Sequence, residues 1–493
     1  MSTLSQYEFW FITGSQHLYG EETLRQVAEH SQAMVKAFGE SAVLPCKIVY
    51  KPVVKTPDEI SEVIREANHS KQCAGIITWM HTFSPSKMWI NGLAMLQKPY
   101  LHLHTQFNRQ IPNLGIDMDF MNLNQSAHGD REHGFIGARM RLARKVVVGY
   151  WEDTDVQEKM GAWMRTAVGV AVSKDLKVMR FGDNMRQVAV TEGDKVEAQI
   201  KLGWQVNTTA VGDLADATAA VTEAEIEAAY ADCVARYSIN TEDIGSIKYQ
   251  LREEIAMRKL LDDGGCKAFT TNFEDLHGLA QLPGLASQRL MEAGFGFGAE
   301  GDWKTAALVH IFKAMGEGLS GGATLMEDYT YDLTQGSELI LGAHMLEICP
   351  TIAAAKPKVE VHPLGIGGKL PPARLVFEGK AGKAVSASLI DMGGRMRLIV
   401  NDCEVVKPIY EMPNLPVARA MWKPLPDLKT AAEAWILAGG AHHTAFSYDL
   451  TAEQLRDWAE MMDIEFIHIG ENTDIGALKQ QLLFSDIVWK LKA

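Results

Sequence analysis

At roughly 150 residues per domain, the 493 residues suggest about three domains. Apolar residues make up 47% and charged residues 22%, ordinary globular usage that excludes a disordered, collagen-like or disulfide-scaffold chain. With 48 Lys+Arg against 62 Asp+Glu the net charge is −14, and no basic run exceeds a few residues, so nucleic acid is not an expected partner. The opening MSTLSQYEFWFITGSQ lacks the positive region and apolar core of a secretory signal. No stretch approaches the roughly 18 apolar residues of a membrane span, so no membrane partner is expected either. Six cysteines scattered without CxxC spacing fit reduced thiols, and together these features predict a cytoplasmic protein.

The first third alternates strand and helix signals. Strands are predicted over 9–13, 47–54, 74–79, 101–104 and 146–150, with helices over 23–38 and 154–172. Thr56-Pro57-Asp58-Glu59 reads as a capping box with proline at the first helical position. Such alternation indicates βαβ units around a parallel sheet. A second α/β region starts near 176–181, with helices around 223–237, 250–261 and 302–315 and a strand over 268–273. Beyond about residue 320, short β-rich runs (373–378, 384–391, 396–400, 403–406) are divided by Gly, Pro and Asp, as in an antiparallel sheet or small barrel. A last helix is expected to open at Thr451, with Gln454 at the capping-box position. The expected class is therefore α/β: an N-terminal α/β domain over 1–170, a central one over 171–320, and a mainly β domain over 321–493.

Four segments combine ionisable residues with tight turns: GAEGDW (298–303), MEDYTY (326–331), GAHMLE (342–347) and GGAHHT (439–444). Two carboxylates and two imidazoles from these form an N₂O₂ set suited to Mn²⁺, Fe²⁺ or Co²⁺ rather than a thiolate-seeking ion. The separations between Glu300, Glu327, His344 and His443 are long, and no local ligand motif such as HExxH is present. Simpler roles stay open: Glu300 beside the positive end of a helix capped by Asp302, Glu327 paired with a surface lysine, His344 as a core histidine. Adjacent residues on a strand face opposite ways, so at most one of His442 and His443 is expected to ligate, with the other in support. Gly296-Phe297-Gly298-Ala299-Glu300-Gly301 matches GxGxxG, but follows no convincing strand and places a carboxylate where pyrophosphate would have to approach. Two polar loops, GSQHLYG (14–20) and NLNQSAHG (122–129), carry hydrogen-bonding types suited to sugar hydroxyls. The first directly follows a strand, at whose carboxyl end open α/β sheets bind ligands.

Together with WMHTFSPSKMWINGL (79–93), HTQFN (104–108), DMDFMNLNQSAHG (117–129), RFGDNMRQVAVTEGDKV (180–196), FEDLHGL (273–279), AEGDWKTAA (299–307), GAHMLEICP (342–350), HPLGIGGK (362–369) and EAWILAGGAHHT (433–444), these segments resemble the L-arabinose isomerases. The resemblance spans most of the chain. It implies two flavodoxin-like (Rossmann-like) α/β domains and a mainly β, barrel-like C-terminal domain. It implies conversion of L-arabinose to L-ribulose, with D-galactose to D-tagatose as a side activity. It also implies Mn²⁺, with Co²⁺ a possible substitute, held by Glu300, Glu327, His344 and His443, with the two glutamates as the acid/base pair. The family is commonly a homohexamer with pockets between subunits. By motif, Gln16, Leu18, Tyr19, Phe83, Gln125 and His128 would then reach a neighbour's site, and Met185, Phe273 and Tyr329 would line it from the metal-bearing subunit. Asp302, Glu347 and His442 are expected to orient the ligands. Aldose–ketose isomerisation moves one proton between carbons and another between oxygens, which suits two carboxyl groups beside a divalent charge. Competing readings are an NAD-dependent sugar dehydrogenase resting on the GxGxxG match, and a sugar-binding module without catalysis.

Overall fold

The computed structural model describes residues 3–492. The chain divides between Ala171 and Val172 into two compact units. In the first, strands β1 (Glu8–Gly14), β2 (Lys47–Tyr50), β3 (Cys73–Met80), β4 (Tyr100–His104) and β5 (Lys145–Val148) form a parallel sheet in the order β2-β1-β3-β4-β5. All eight residues of β3 are buried, the continuous apolar run expected of a central parallel strand covered on both faces. The strand predicted over 47–54 ends at Tyr50, and the chain then touches β1 through Lys51 N, which donates to Phe11 O at 3.0 Å, and an isolated Gly14–Val54 bridge. At the helix Pro57–His69, Thr56 accepts from Glu59 N at 3.2 Å, but the Glu59 carboxylate bonds Lys55 N at 2.6 Å, so only half of the predicted capping box forms. Strand order reverses between β1 and β3, so the loops after them diverge at the carboxyl end of the sheet, where such folds bind ligands.

In the second unit, β6 (Lys177–Phe181), β7 (Gln205–Thr209), β9 (Ala268–Thr271) and β10 (Gly296–Gly298) make a four-stranded parallel sheet in the order β10-β9-β6-β7. A short β8 (Ser238–Ile239) pairs instead with β13 (Lys358–Val361), which also pairs with β14 (Ala373–Val376). The GxGxxG motif holds a strand after all, since β10 lies inside it. Its glycines admit a helix: a Cβ on Gly296 would stand 2.0 Å from Ala306 O, and one on Gly298 2.0 Å from Asp302 O, both at the helix Trp303–Met315. Helix packing accounts for that pattern.

The remaining strands, β11 (Ala323–Asp332), β12 (Leu339–Ala343), β15 (Gly382–Asp391), β16 (Met396–Val406), β17 (Arg419–Pro424), β18 (His443–Ser447) and β19 (Glu465–Ile469), form one mostly antiparallel sheet. Its order is β15-β18-β11-β12-β17-β16-β19, and β15 also pairs with β16 over ten residues. Six strands therefore close into a ring, with β19 added in parallel to β16. The runs predicted separately over 396–400 and 403–406 are one strand. The polar Asn401 between them donates to Leu425 O and Ile469 O, satisfied by tertiary contacts that sequence pattern does not register. Both capping-box bonds form at Thr451, with Gln454 N donating at 3.3 Å and Thr451 N at 3.1 Å. The helix they open is not the last, because Ile475–Lys492 follows. Among the described residues, no helix is long and apolar enough to cross a membrane.

Two predictions follow from this packing. Gly296→Ala should destabilise the second unit by about 3 kcal/mol, since carbonyl and helix backbone cannot yield cheaply. Gly134→Ala, in a helix and with open space around it, should be neutral or slightly stabilising, and urea midpoints compare the two. In the first unit His81 is fully buried, and that burial, with His30 beside it, pushes its pKa down from 6.5 to about 3. The unfolded chain thus binds a proton below pH 6.5 that the folded one refuses. Stability is whole above that pH and falls by about 1.4 kcal/mol per unit as pH drops towards 3. His81→Gln should flatten this slope by one proton, read from urea unfolding at pH steps between 7 and 4.

Candidate functional site

Glu300 stands where β10 ends and turns into the helix Trp303–Met315. It has φ 58° and is followed by Gly301 at φ 81°, two consecutive left-handed residues. For a glutamate that conformation costs on the order of 1 kcal/mol and persists only where surrounding bonds impose it. Those bonds are present: Met185 N donates to Glu300 O at 3.0 Å, Gly301 N to Thr271 O at 3.0 Å, and Asn184 Nδ2 to Gly301 O at 3.2 Å. A Cβ on Gly301 would lie 2.5 Å from Asn184 Cα, so only glycine permits this approach. The outcome is a carboxylate held at the strand's carboxyl end, its side chain only 13% exposed.

The other predicted ligands come from one rung of the barrel. Glu327 on β11 pairs directly with His443 on β18 and with Ala343 on β12, and His344 follows Ala343. Directly paired residues of antiparallel strands share a face, which removes the long sequence separations. A register shift between Asp328 and Thr330 leaves Tyr329 as a bulge beside the rung. One ligating atom each from Glu300, His344 and His443 lies within 4.8 Å of the others, and Glu327 Oε2 is 4.0 Å from His344 Nε2.

The donor set fits a divalent cation. His443 is fully buried, yet neither ring nitrogen has a hydrogen-bond partner. Its Nε2 stands 3.9 Å from Glu300 Oε2, too far for a hydrogen bond and of the order that two donors on a common ion keep. On the opposite side its Nδ1 faces Asp302 Oδ2 at 3.5 Å, and His344 Nδ1 meets Glu347 Oε2 at 2.5 Å. Each imidazole thus has a carboxylate behind it and its Nε2 turned to the cluster, the usual arrangement behind metal-bound histidines. His442 is 38% exposed, with Nε2 3.6 Å from Glu300 Oε2.

Charges here are strongly perturbed. Burial disfavours a charged His344, but Glu347, with Glu327 and Glu300 beyond, overrides it and raises the imidazole to about 9. His442 lowers the Glu300 carboxyl against the opposing effect of burial, and His442 is raised in turn. Burial also opposes ionisation of Asp302, yet Lys304, His443 and Thr305 hold its pKa well below the carboxylate range. Lys304 is 1% exposed, with Nζ donating to Thr191 O at 2.8 Å and Glu192 O at 2.6 Å and lying 3.5 Å from Asp302 Oδ1. Sequence reasoning passed over Lys304 and Asn184, although a lysine in the first turn of a helix otherwise rich in apolar residues is a legible anomaly.

A cleft adjoins the cluster, lined by Glu300, His344, Phe273, Leu346, Leu364 and Ile366 among others. Met185 is half-buried and reaches the site through its backbone N–H on Glu300 O, while Tyr329 is 49% exposed. The six N-terminal candidates belong to the first unit, where five of them interlock. Gln16 Nε2 donates to Phe83 O at 3.0 Å and Tyr19 Oη to Gln125 Oε1 at 3.0 Å, while Phe83 and His128 have ring centroids 5.2 Å apart. Leu18 is 80% exposed. This patch follows β1 and β3, at the reversal of strand order.

Comparison with known proteins covers nearly the whole chain. Family models match in series: the L-arabinose isomerase N-terminal domain over residues 3–175, the central domain over 177–318, and the C-terminal domain over 322–465. The L-arabinose isomerase of Geobacillus kaustophilus (strain HTA426) is 60% identical over 496 residues, covering 99% of this chain and 100% of the relative. That of Anoxybacillus flavithermus (strain DSM 21510 / WK1) is 60% identical over 498 residues, covering 100% and 99%. That of Thermotoga maritima (strain ATCC 43589 / DSM 3109 / JCM 10099 / NBRC 100826 / MSB8) is 57% identical over 493 residues, also covering 100% and 99%. Similarity of this extent, running through all three domain models and every segment of the candidate site, places the chain in the L-arabinose isomerase family.

Proposed function

We propose that this isomerase interconverts L-arabinose and L-ribulose by proton transfer through a cis-enediol, with D-galactose to D-tagatose as a side reaction. The observation that carries this reading is the rung: Glu327 paired with His443, His344 alongside, and Glu300 delivered opposite them by a strained turn. Glu300, Glu327, His344 and His443 would hold the cation; mixed carboxylate and imidazole donors suit Mn²⁺, Fe²⁺ or Co²⁺, and the family resemblance favours Mn²⁺ with Co²⁺ in its place. Divalent charge at this donor set offsets the negative charge that develops on the two sugar oxygens.

The protein's own groups do the rest. One glutamate takes the proton from C2 and returns it to C1, while the other moves the hydroxyl proton from O2 to O1. Glu300 and Glu327 divide these roles. Their surroundings differ: Glu300 Oε2 lies 3.6 Å from His442 Nε2 and 3.9 Å from His443 Nε2, whereas Glu327 Oε2 lies 4.0 Å from His344 Nε2. Glu347 fixes the His344 ring by accepting from its Nδ1–H, and Asp302 faces His443 Nδ1 at 3.5 Å, so that both Nε2 atoms are turned to the cluster. Apolar Phe273, Leu346, Leu364 and Ile366 wall the cleft and limit water. In the first unit, Gln16, Tyr19, Gln125 and His128 offer sugar-binding groups. We assign them to a neighbouring subunit's sugar in a homohexameric assembly, together with Leu18 and Phe83.

Glu300→Gln and Glu327→Gln should each lower kcat by about three orders of magnitude or more, because each removes a proton carrier from the reacting centre. Steady-state assays on Mn²⁺-saturated protein measure this, and near-full activity in either variant would remove that residue from the mechanism. Asp302→Asn and Glu347→Gln should weaken Mn²⁺ binding about 10–100-fold, read by calorimetric titration of chelator-treated protein.

A further inference from the structure

The first unit contains a buried ionisable cluster for which the reaction above has no use. Asp130 is 2% exposed, and its carboxylate gathers three donors from two strands. Oδ1 accepts from His102 Nε2 at 2.9 Å and from Met80 N at 3.2 Å, and Oδ2 accepts from His104 Nδ1 at 2.8 Å. Met80 closes β3, and His102 and His104 stand two apart on β4, so their side chains leave the same face of the strand. Asp130 itself lies in the helix Ser126–Arg139, directly after the Gln125–Gly129 stretch that presents the sugar-binding candidates.

The neighbouring contacts point the same way. Gly129 lies so close to the chain leaving β3 that a Cβ would stand 3.0 Å from Thr82 O. Gln125 N donates to His81 O at 2.9 Å, and the Trp79 indole N–H is shared between Thr105 O and Ser126 Oγ at 3.0 and 3.2 Å. The start of the helix is therefore pinned to the carboxyl ends of both β3 and β4, with the Asp130 carboxylate at the junction. Hydrogen bonds to a charged acceptor are stronger than neutral ones, and within a buried site three of them leave the segment little freedom.

We infer that Asp130 is a positioning residue for sugar binding: it fixes where Gln125 and His128 stand, and through the Phe83–His128 contact the Phe83 loop as well. This rests on the assignment of Gln125 and His128 to the sugar. Asp130 touches no substrate in this account, so its loss should act on KM rather than on metal binding.

The experiment compares Asp130→Asn, Gly129→Ala, Gln125→Ala and His128→Ala in the full-length, Mn²⁺-loaded assembly, with KM and kcat for L-arabinose, calorimetric Mn²⁺ affinity and assembly mass for each. Asparagine keeps the size and one acceptor oxygen but removes the charge and the acceptor facing His104. Asp130→Asn should raise KM about tenfold, with a smaller change in kcat and unchanged Mn²⁺ affinity and mass. A merely structural defect would instead reduce the active fraction, lowering kcat at constant KM. Gly129→Ala, which shifts the same helix without touching the carboxylate, should raise KM in the same direction and stands in if Asp130→Asn does not fold. An unchanged KM in both of these variants, with KM raised by His128→Ala or Gln125→Ala, would overturn the positioning role alone. An unchanged KM in His128→Ala and Gln125→Ala would overturn the sugar assignment and the inference with it.

Discussion

The cross-strand pair Glu327–His443 is the constraint on which the rest of the site depends. Two antiparallel strands set these residues directly opposite, so both side chains leave the same face of the barrel wall. A slip of one residue would turn each to the other face and dismantle the cluster. The register is held because the barrel closes: β15 pairs with β16 on one side and with β18 on the other, so neither β18 nor β11 is an edge free to slide. On the far side of β11, β12 brings Ala343 into the same rung and so delivers His344. The fourth ligand candidate arrives from the central sheet at a turn whose strain is offset by the backbone bonds that Met185, Gly301 and Asn184 make around it.

Burying this many ionisable groups is costly unless each has a partner. The site meets that requirement in layers. His344 is backed by Glu347, and His443 by Asp302, which is itself backed by the wholly buried Lys304. Lys304 in turn gives its protons to the carbonyls of Thr191 and Glu192. Both His443 ring nitrogens are left without a hydrogen-bond partner, and a cation at Nε2 would relieve that one. The same layering explains why the helix Trp303–Met315 packs so closely on β10: Asp302 caps it through Thr305 while facing His443, so the helix start and the site are one piece of structure.

Much of the architecture was legible before the structure. Alternating strand and helix signals placed the first sheet, because buried parallel strands read as continuous apolar runs such as 74–79. The β-rich texture after residue 320 pointed to the barrel. Polar residues were the main source of error. Asn401 looked like a break, but its side chain is satisfied by β19 and by the chain just after β17, and pattern rules treat such residues as exposed. The helices Leu428–Ala438 and Ile475–Lys492 escaped notice because the first is nearly all apolar and the second carries apolar residues on most of its turn positions. His442 and His443 differ in burial, yet their Nε2 atoms stand 3.6 and 3.9 Å from the same Glu300 oxygen, so strand alternation did not send them to opposite sides. What spacing could not convey is that Glu327 and His443, more than a hundred positions apart, occupy one rung. Register between distant strands is a tertiary property, and here it came only with family resemblance or coordinates. Lys304 and Asp130 share that limit: each acts through partners far away in sequence.

The most direct test of the central claim, that these carboxylates and imidazoles carry out enediol isomerisation around a cation, is NMR of chelator-treated protein with L-arabinose in D₂O, before and after adding Mn²⁺. The account predicts no turnover before addition and, after it, L-ribulose carrying deuterium at C1 from exchange at the glutamate that shuttles the carbon proton. Failure of correctly assembled, Mn²⁺-loaded protein to form a ketose from either arabinose or galactose would contradict it, as would equal ketose formation by the metal-free protein.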